Sequence, residues 1–193
     1  VFNAFKKVAN STNGNFDCTI SPLINAWGFG ATKKEKIDSF IISDLLKKTG
    51  YQKIYLKNDS TLYNPSNVQL NFDALAQGFT VDVIANFLEN NNINNFLIEI
   101  GGELRAKGKN INNKNWRIGI EKPSKIIDNK NRFQTVIELK NKSVATSGNY
   151  RKFYLENGKK YSHSINPFNG YPVKHNLLSV TVITDKCIYA DAY

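Results

Sequence analysis

The sequence predicts an α+β fold, because helical and strand periodicities both occur and are mixed without a regular βαβ rhythm. Its 193 residues, 41% hydrophobic and 12% aromatic, suit a single domain spanning 1–193 with a real buried core. Residues 2–9 set Phe2, Phe5 and Val8 on one helical face, and Asn13-Gly14 then reads as a turn. The run from Phe16 to Gly30 reads as loop, closing on Trp27-Gly28-Phe29-Gly30. Residues 35–48 return to helical spacing through Ile37, Phe40, Ile41, Leu45 and Leu46, with Gly50 as a C-cap. Short strands are expected around 52–57 and 61–63.

Residues 75–90 carry the clearest helix: Leu75, Phe79, Val83 and Phe87 recur every fourth position, with Ile84 and Leu88 beside them. The polar run Asn90-Asn91-Asn92 ends it. Residues 96–100 read as a buried strand that runs into Gly101-Gly102, and further strands are expected at 115–121, 133–139 and 178–184. The last of these is rich in the β-branched residues that suit a pleated sheet.

The formal net charge is +10. The lysines are spread along the chain and interleaved with Asn, so they read as a solvated surface and not as a nucleic-acid site. Such a surface also attracts a dianionic ligand such as a dinucleotide. No apolar stretch approaches the roughly 20 residues of a membrane helix. The sequence contains no Met and opens at Val1 without a signal peptide, so it reads as part of a longer reading frame with any export signal upstream. Cys18 and Cys187 lack zinc-type spacing; they are read as buried free thiols, with pairing in an oxidising compartment the alternative.

Four short segments carry candidate chemistry. Ile100-Gly101-Gly102-Glu103 follows a strand, where paired glycines let backbone approach phosphate oxygens, although Gly-Gly is equally an ordinary turn. Val144 to Tyr150, with Ser147 and Gly148 at its centre, reads as a hydroxyl-rich loop for phosphate or ribose, or as a plain β-turn. His163, beside Ile165-Asn166-Pro167, is a candidate base or ligand, whereas a lone His is more often structural. Asp191, between two alanines, suits Mg²⁺ and suits a helix N-terminus equally well.

The order of these segments is more specific than any one of them. Gly14 to Asp17, Ser21 to Gly30, Asn71 to Asp82, Ile100 to Glu103, Val144 to Tyr150, His163 to Pro167 with Gly170 and Pro172, and Ala190 to Ala192 follow one another along the chain. In this the sequence resembles the FAD:protein FMN transferase (ApbE) family over essentially its whole length. The resemblance implies a T-fold-like α+β fold with mainly antiparallel sheets, flanking helices and an FAD cleft between two lobes. It implies an Mg²⁺-dependent enzyme that cleaves the FAD pyrophosphate, attaches FMN to a Thr of an acceptor protein and releases AMP.

By position, the resemblance places Trp27, Gly28 and Phe29 at the flavin or nucleotide, with Asn71, Gln77, Gly101, Gly102, Glu103, Ser147, Gly148 and Ile165 on the same ligand. Asp191 matches the side-chain metal ligand, Ala74 its backbone-carbonyl partner, and His163 the base or acceptor-side residue. Asn71 and Gln77 stand where the family has Asp and Lys, and Asn166 where it often has Asp. The family's Thr metal ligand falls four residues past Asp191, beyond Tyr193, and its Met-Gly-Thr-type strand also lies outside the sequence.

Two other readings keep the pocket. An Mg²⁺-dependent FAD pyrophosphatase would use water as acceptor, and a non-catalytic flavin-binding module would have lost its metal, as the changes at Asn71 and Gln77 suggest. The resemblance also implies the bacterial cell envelope, with an N-terminal lipid anchor outside this sequence.

Overall fold

The computed structural model describes residues 1–30, 37–58, 60–124, 132–148, 153–156 and 158–193. In chain order the described elements begin with α1 (Phe2–Ser11), α2 (Ser21–Ala26), α3 (Ser39–Lys47), a 3-10 turn (Tyr51–Lys53), β1 (Tyr55–Lys57) and β2 (Thr61–Tyr63). Next come α4 (Asp73–Asn90), β3 (Phe96–Ile100), β4 (Glu103–Lys107), β5 (Trp116–Glu121), β6 (Phe133–Leu139) and β7 (Lys142–Gly148). The chain continues through β8 (Phe153–Glu156), β9 (Lys159–Ser162), β10 (Ser179–Thr184) and α5 (Cys187–Ala192). Every ladder among them is antiparallel. The α+β expectation therefore stands.

Two compact units emerge, one of Phe2–Phe72 with Lys152–Asn176 and one of Asp73–Arg151 with Leu177–Tyr193, which Val1 joins. In the first, Phe5 is fully buried against the rings of Phe16 and Phe72, at 6.4 and 6.1 Å. A second cluster joins Leu23 and Trp27 to Ile42 and Ile165. The run expected as loop between Phe16 and Gly30 contains α2. Pro22 stands in its first turn, where the missing N–H costs nothing, and burial of Leu23 and Ala26 holds the short helix down.

The third helix starts later than its periodicity suggests. The Asp38 carboxylate accepts from the amides of Phe40 and Ile41, each at 2.9 Å, and so caps its start. Residues 35 and 36 lie outside the described set. The helix ends at Lys47 with Lys48 as C-cap, while Gly50, at φ 129°, opens the 3-10 turn instead of capping α3. That turn takes Gln52 and Lys53 from the strand expected over 52–57; Ile54 is extended, and the paired strand β1 begins at Tyr55.

In the second unit a four-stranded sheet runs in the order β10-β7-β4-β3. Along β4, Leu104 and Ala106 meet Ile118 of β5, Leu139 of β6 and Val144 of the neighbouring strand β7. Period-2 alternation turns Arg105 to the opposite face, where it meets Asp82 and Glu89 of α4. A charged strand face thus lies under the helices, with Lys107 joining Glu89 at 3.1 Å. Among the described residues no helix is long and apolar enough to cross a membrane.

Candidate active site

The site begins with how closely α4 and α5 approach. Gly78 sits in mid-helix, where glycine weakens a helix. A Cβ there would stand 2.4 Å from the Cys187 carbonyl oxygen and 2.8 Å from Asp191 Cβ. The missing side chain lets Asp191 Oδ2 accept from the Gly78 amide at 2.8 Å. In a regular helix that amide serves the carbonyl four residues back, which is Ala74. Asp191 therefore competes for the donor of the carbonyl that the family resemblance assigns to metal.

Glu103 opens β4 close to this carboxylate. Burial pushes its pKa up from the usual carboxylate range, and the charge of Asp191 pushes in the same direction. Burial also raises Asp191, against the opposing effect of the Gly78 amide. Glu103 Oε2 is buried without a hydrogen-bond partner. Two carboxylates held this way are short of positive charge.

Gly101 and Gly102 turn the chain between β3 and β4 at φ 67° and 113°. The Gln77 amide nitrogen would lie 1.9 Å from a Cβ at Gly101, so Gln77 rests on backbone that glycine alone leaves bare. Both glycines line a cavity of about 570 Å³ with Leu104, Ile118, Thr146 and Ser179. The structure thus gathers Ala74, Gln77, Gly101, Gly102, Glu103 and Asp191 into one region of this unit.

The segment at 144–150 is not a loop. Residues 142–148 form β7, in which Ser147 pairs with Val180 and Gly148 with Ser179, while the β4 register stops at Val144. Alternating small and β-branched residues fit the middle of a sheet, and the hydroxyls of Thr146 and Thr181 join across it at 2.9 Å. Asn149 and Tyr150 lie outside the described residues.

The other expected residues belong to the first unit. Trp27 is 6% exposed, stacks on Tyr161 at 5.6 Å and donates from Nε1 to the Gly170 carbonyl at 2.8 Å. Gly28 turns the chain out of α2 at φ 76°, its amide bonded to the Asn25 carbonyl. Phe29 lies 5.2 Å from Tyr154 and 6.5 Å, edge-on, from His163. Ile165 is buried in the Leu23–Trp27 cluster, and the Asn71 amide donates to the Cys18 carbonyl at 2.8 Å. Trp27, Tyr161, Asn166, Tyr171 and Lys174 line a second cavity of about 620 Å³.

Sequence reasoning missed Asp82, Arg105 and the aromatic ladder through Tyr154 and Tyr161. Asp82 is 6% exposed in mid-helix, and a charged residue on an apolar helix face was the available signal.

An α+β protein of small antiparallel ladders, with carboxylates gathered at a glycine-rich strand turn, has the architecture of the flavin transferases whose structures it matches. The chain belongs to the ApbE family, whose sequence model matches residues 1–193. It is similar to the FAD:protein FMN transferase of Haemophilus influenzae, 40% identical over 186 residues, or 93% of this chain and 53% of that protein. The Escherichia coli K12 protein of the same name is 34% identical over 193 residues, 97% of this chain and 54% of its own length. The crystal structure of Pseudomonas stutzeri flavinyl transferase ApbE, apo form, matches with a TM-score of 0.88 at 34% identity, over 99% of this chain and 58% of that one. The chain spans little more than half the length of these relatives.

Proposed function

We propose that this chain forms part of an Mg²⁺-dependent FAD:protein FMN transferase. The observation that carries this is the Asp191–Glu103 pair, two desolvated carboxylates beside Gly101-Gly102, one with an oxygen that none of the described residues satisfies. Among the described residues no group of three or more His, Cys, Asp and Glu stands ready for a metal. That donor set fits Mg²⁺, which takes one or two carboxylates and fills its shell from phosphate and water. Asp191 and the Ala74 carbonyl would hold the ion, with Glu103 adding negative charge nearby. Bound there, Mg²⁺ neutralises charge gathering on the pyrophosphate oxygens.

The chain's own groups do the rest. Gly101 and Gly102 bring bare backbone to the substrate, and Gln77 supplies a neutral amide where the family resemblance expects a cation. His163 takes the proton of an acceptor Thr hydroxyl as its oxygen bonds to the FMN phosphorus. The bond from that phosphorus to the bridging oxygen breaks, and AMP leaves. The acceptor is a redox subunit at the bacterial cell envelope, reached through an N-terminal lipid anchor in the longer protein.

The test supplies FAD, Mg²⁺ and an acceptor domain with a Thr-containing motif, and follows acceptor mass and free AMP. A mass gain equal to FMN, abolished by chelator, establishes the transferase. AMP without acceptor modification makes the protein a pyrophosphatase, and FAD binding with neither signal makes it a flavin-binding module.

A further inference from the structure

We infer that Asp82 is a positioning residue for the Asp191 carboxylate, holding helix α5 in register on α4 through its own two oxygens. The inference rests on the proposed metal role of Asp191 and deepens it.

Helix α5 has six residues, too few to stand alone in water, and its N-cap Lys186 offers no side-chain cap. Its first amides belong to Cys187 and Ile188, which are 0% and 7% exposed, so water does not serve them. Asp82 does. Its Oδ1 accepts from the Cys187 amide and its Oδ2 from the Ile188 amide, both at 3.0 Å. The cap for α5 thus comes from a different helix, 105 residues earlier in the chain.

The second half of the device runs the other way. Asp191 on α5 accepts from the Gly78 amide on α4. Positions 78 and 82 lie one turn apart on α4, and 187 and 191 lie one turn apart on α5. Pairing 82 with 187 and 78 with 191 makes the helices antiparallel along this contact. Each lends an aspartate to the amides of the other. Two points fix both translation and rotation of α5, and so fix where the remaining Asp191 oxygen points.

Asp82 is itself aimed. Arg105 Nη1 donates to its Oδ1 at 2.7 Å, while Arg105 Nη2 reaches Glu89 Oε1 at 3.1 Å. The guanidinium fork spans two acids that lie two turns apart on α4 and sets the plane of the carboxylate. Nothing about Asp82 suggests contact with substrate. Its effect passes through α5.

Groups that orient metal ligands typically set affinity by 10–100-fold, without touching the ion. The experiment measures Mn²⁺ binding by electron paramagnetic resonance without FAD, and the Mg²⁺ dependence of FMN transfer. Asp82→Asn keeps one acceptor and loses the second, so it is expected to weaken Mn²⁺ about 10-fold and raise half-saturating Mg²⁺ by a similar factor. Transfer at saturating Mg²⁺ is expected to return to within about threefold of the parent, the mark of a misplaced ligand. Leu139→Ala, a core change in the same unit, is expected to lower stability and leave Mn²⁺ affinity unchanged.

Unchanged Mn²⁺ affinity in a folded Asp82→Asn protein overturns the inference. Should that variant not fold, Arg105→Gln keeps the cap and frees only its orientation. A roughly threefold loss of Mn²⁺ affinity there supports the inference, and no loss overturns it. A parent protein that binds no Mn²⁺ and transfers no FMN overturns the functional proposal itself. That outcome is distinct from a parent that binds and a variant that binds equally well.

Discussion

Gly78 and Asp191 share both a hydrogen bond and an exclusion: the amide reaches Asp191 Oδ2 at 2.8 Å, and a Cβ at Gly78 would stand 2.8 Å from Asp191 Cβ. The nearest obstacle to that Cβ is the Cys187 carbonyl oxygen at 2.4 Å, which is backbone and cannot swing away. Gly78→Ala must therefore part the helices. The better helix propensity of Ala recovers some of the loss, and overpacking of this kind leaves about 1–3 kcal/mol of destabilisation. A thermal melt is expected to fall by roughly 2–4 °C for each kcal/mol, with weaker Mg²⁺ protection against unfolding. An unchanged melt would show that α4 and α5 separate freely.

A pH prediction follows from the raised carboxylates. Burial raises Glu103 and the charge of Asp191 adds to it, while burial raises Asp191. The folded state then holds these protons more tightly than the unfolded chain. Their contribution to stability is present below the ordinary carboxylate pKa and is lost as pH rises through the folded value. Whatever charge the pair carries above that value is held at a cost to the metal-free fold. Glu103→Gln is expected to melt at or above the parent temperature at pH 7 without metal. The difference between the two should shrink on acidification. Added Mg²⁺ should stabilise the variant less than the parent, and a variant several degrees less stable at neutral pH would contradict the assignment.

The parts of this fold that were legible in sequence are those where one physical signal dominates. The four-residue recurrence of Leu75, Phe79, Val83 and Phe87 announced α4, which runs from Asp73 to Asn90, but not its buried face: Phe79, Val83 and Phe87 are exposed, and Leu75, Gly78, Val81, Asp82 and Ala85 face the core. The β-branched run announced β10 at Ser179–Thr184. Misreadings came where two signals compete. Small and hydroxyl residues in 144–148 resemble a loop, yet Val144 and Ala145 are buried mid-sheet and the strand is held from both sides near Ser143. Ser21-Pro22 falls inside the run read as loop from Phe16 to Gly30 and is instead a helix start. At the site, Asp191 and Gly101-Gly102 were found through motif order. Asp82 closes one of the ordered segments but was given no role, and Arg105 was not singled out, because their roles depend on pairing a helix with a strand 23 residues away and with a helix 105 residues away.

The two cysteines give a direct chemical check. Burial pushes both thiols up to about 12, with Asp17 adding to Cys18 and Asp82 to Cys187. Both are free and buried. A thiolate is the reactive form, so neither should react with a disulfide reagent in native protein at pH 8. Both should react once the protein is unfolded in denaturant without reductant. One or more fast native thiols would contradict the burial, and no reaction after unfolding would mean the pair is oxidised.

Trp27 tests whether an aromatic beside a glycine serves the fold or the ligand. Its indole N–H is buried on the Gly170 carbonyl at 2.8 Å, and its ring stacks on Tyr161. Trp27→Phe keeps an aromatic ring but removes the donor, leaving a buried carbonyl unsatisfied at about 1–3 kcal/mol. A smaller ring also leaves space against Leu23 and Ile42 in the same cluster. The variant is expected to melt several degrees lower, with the KM for FAD within about threefold of the parent. If instead stability holds and KM rises tenfold or more, Trp27 meets the flavin directly and its packing is secondary. The hydrogen bond makes the first outcome the expected one, since a ring anchored through Nε1 is set by the fold before any ligand arrives.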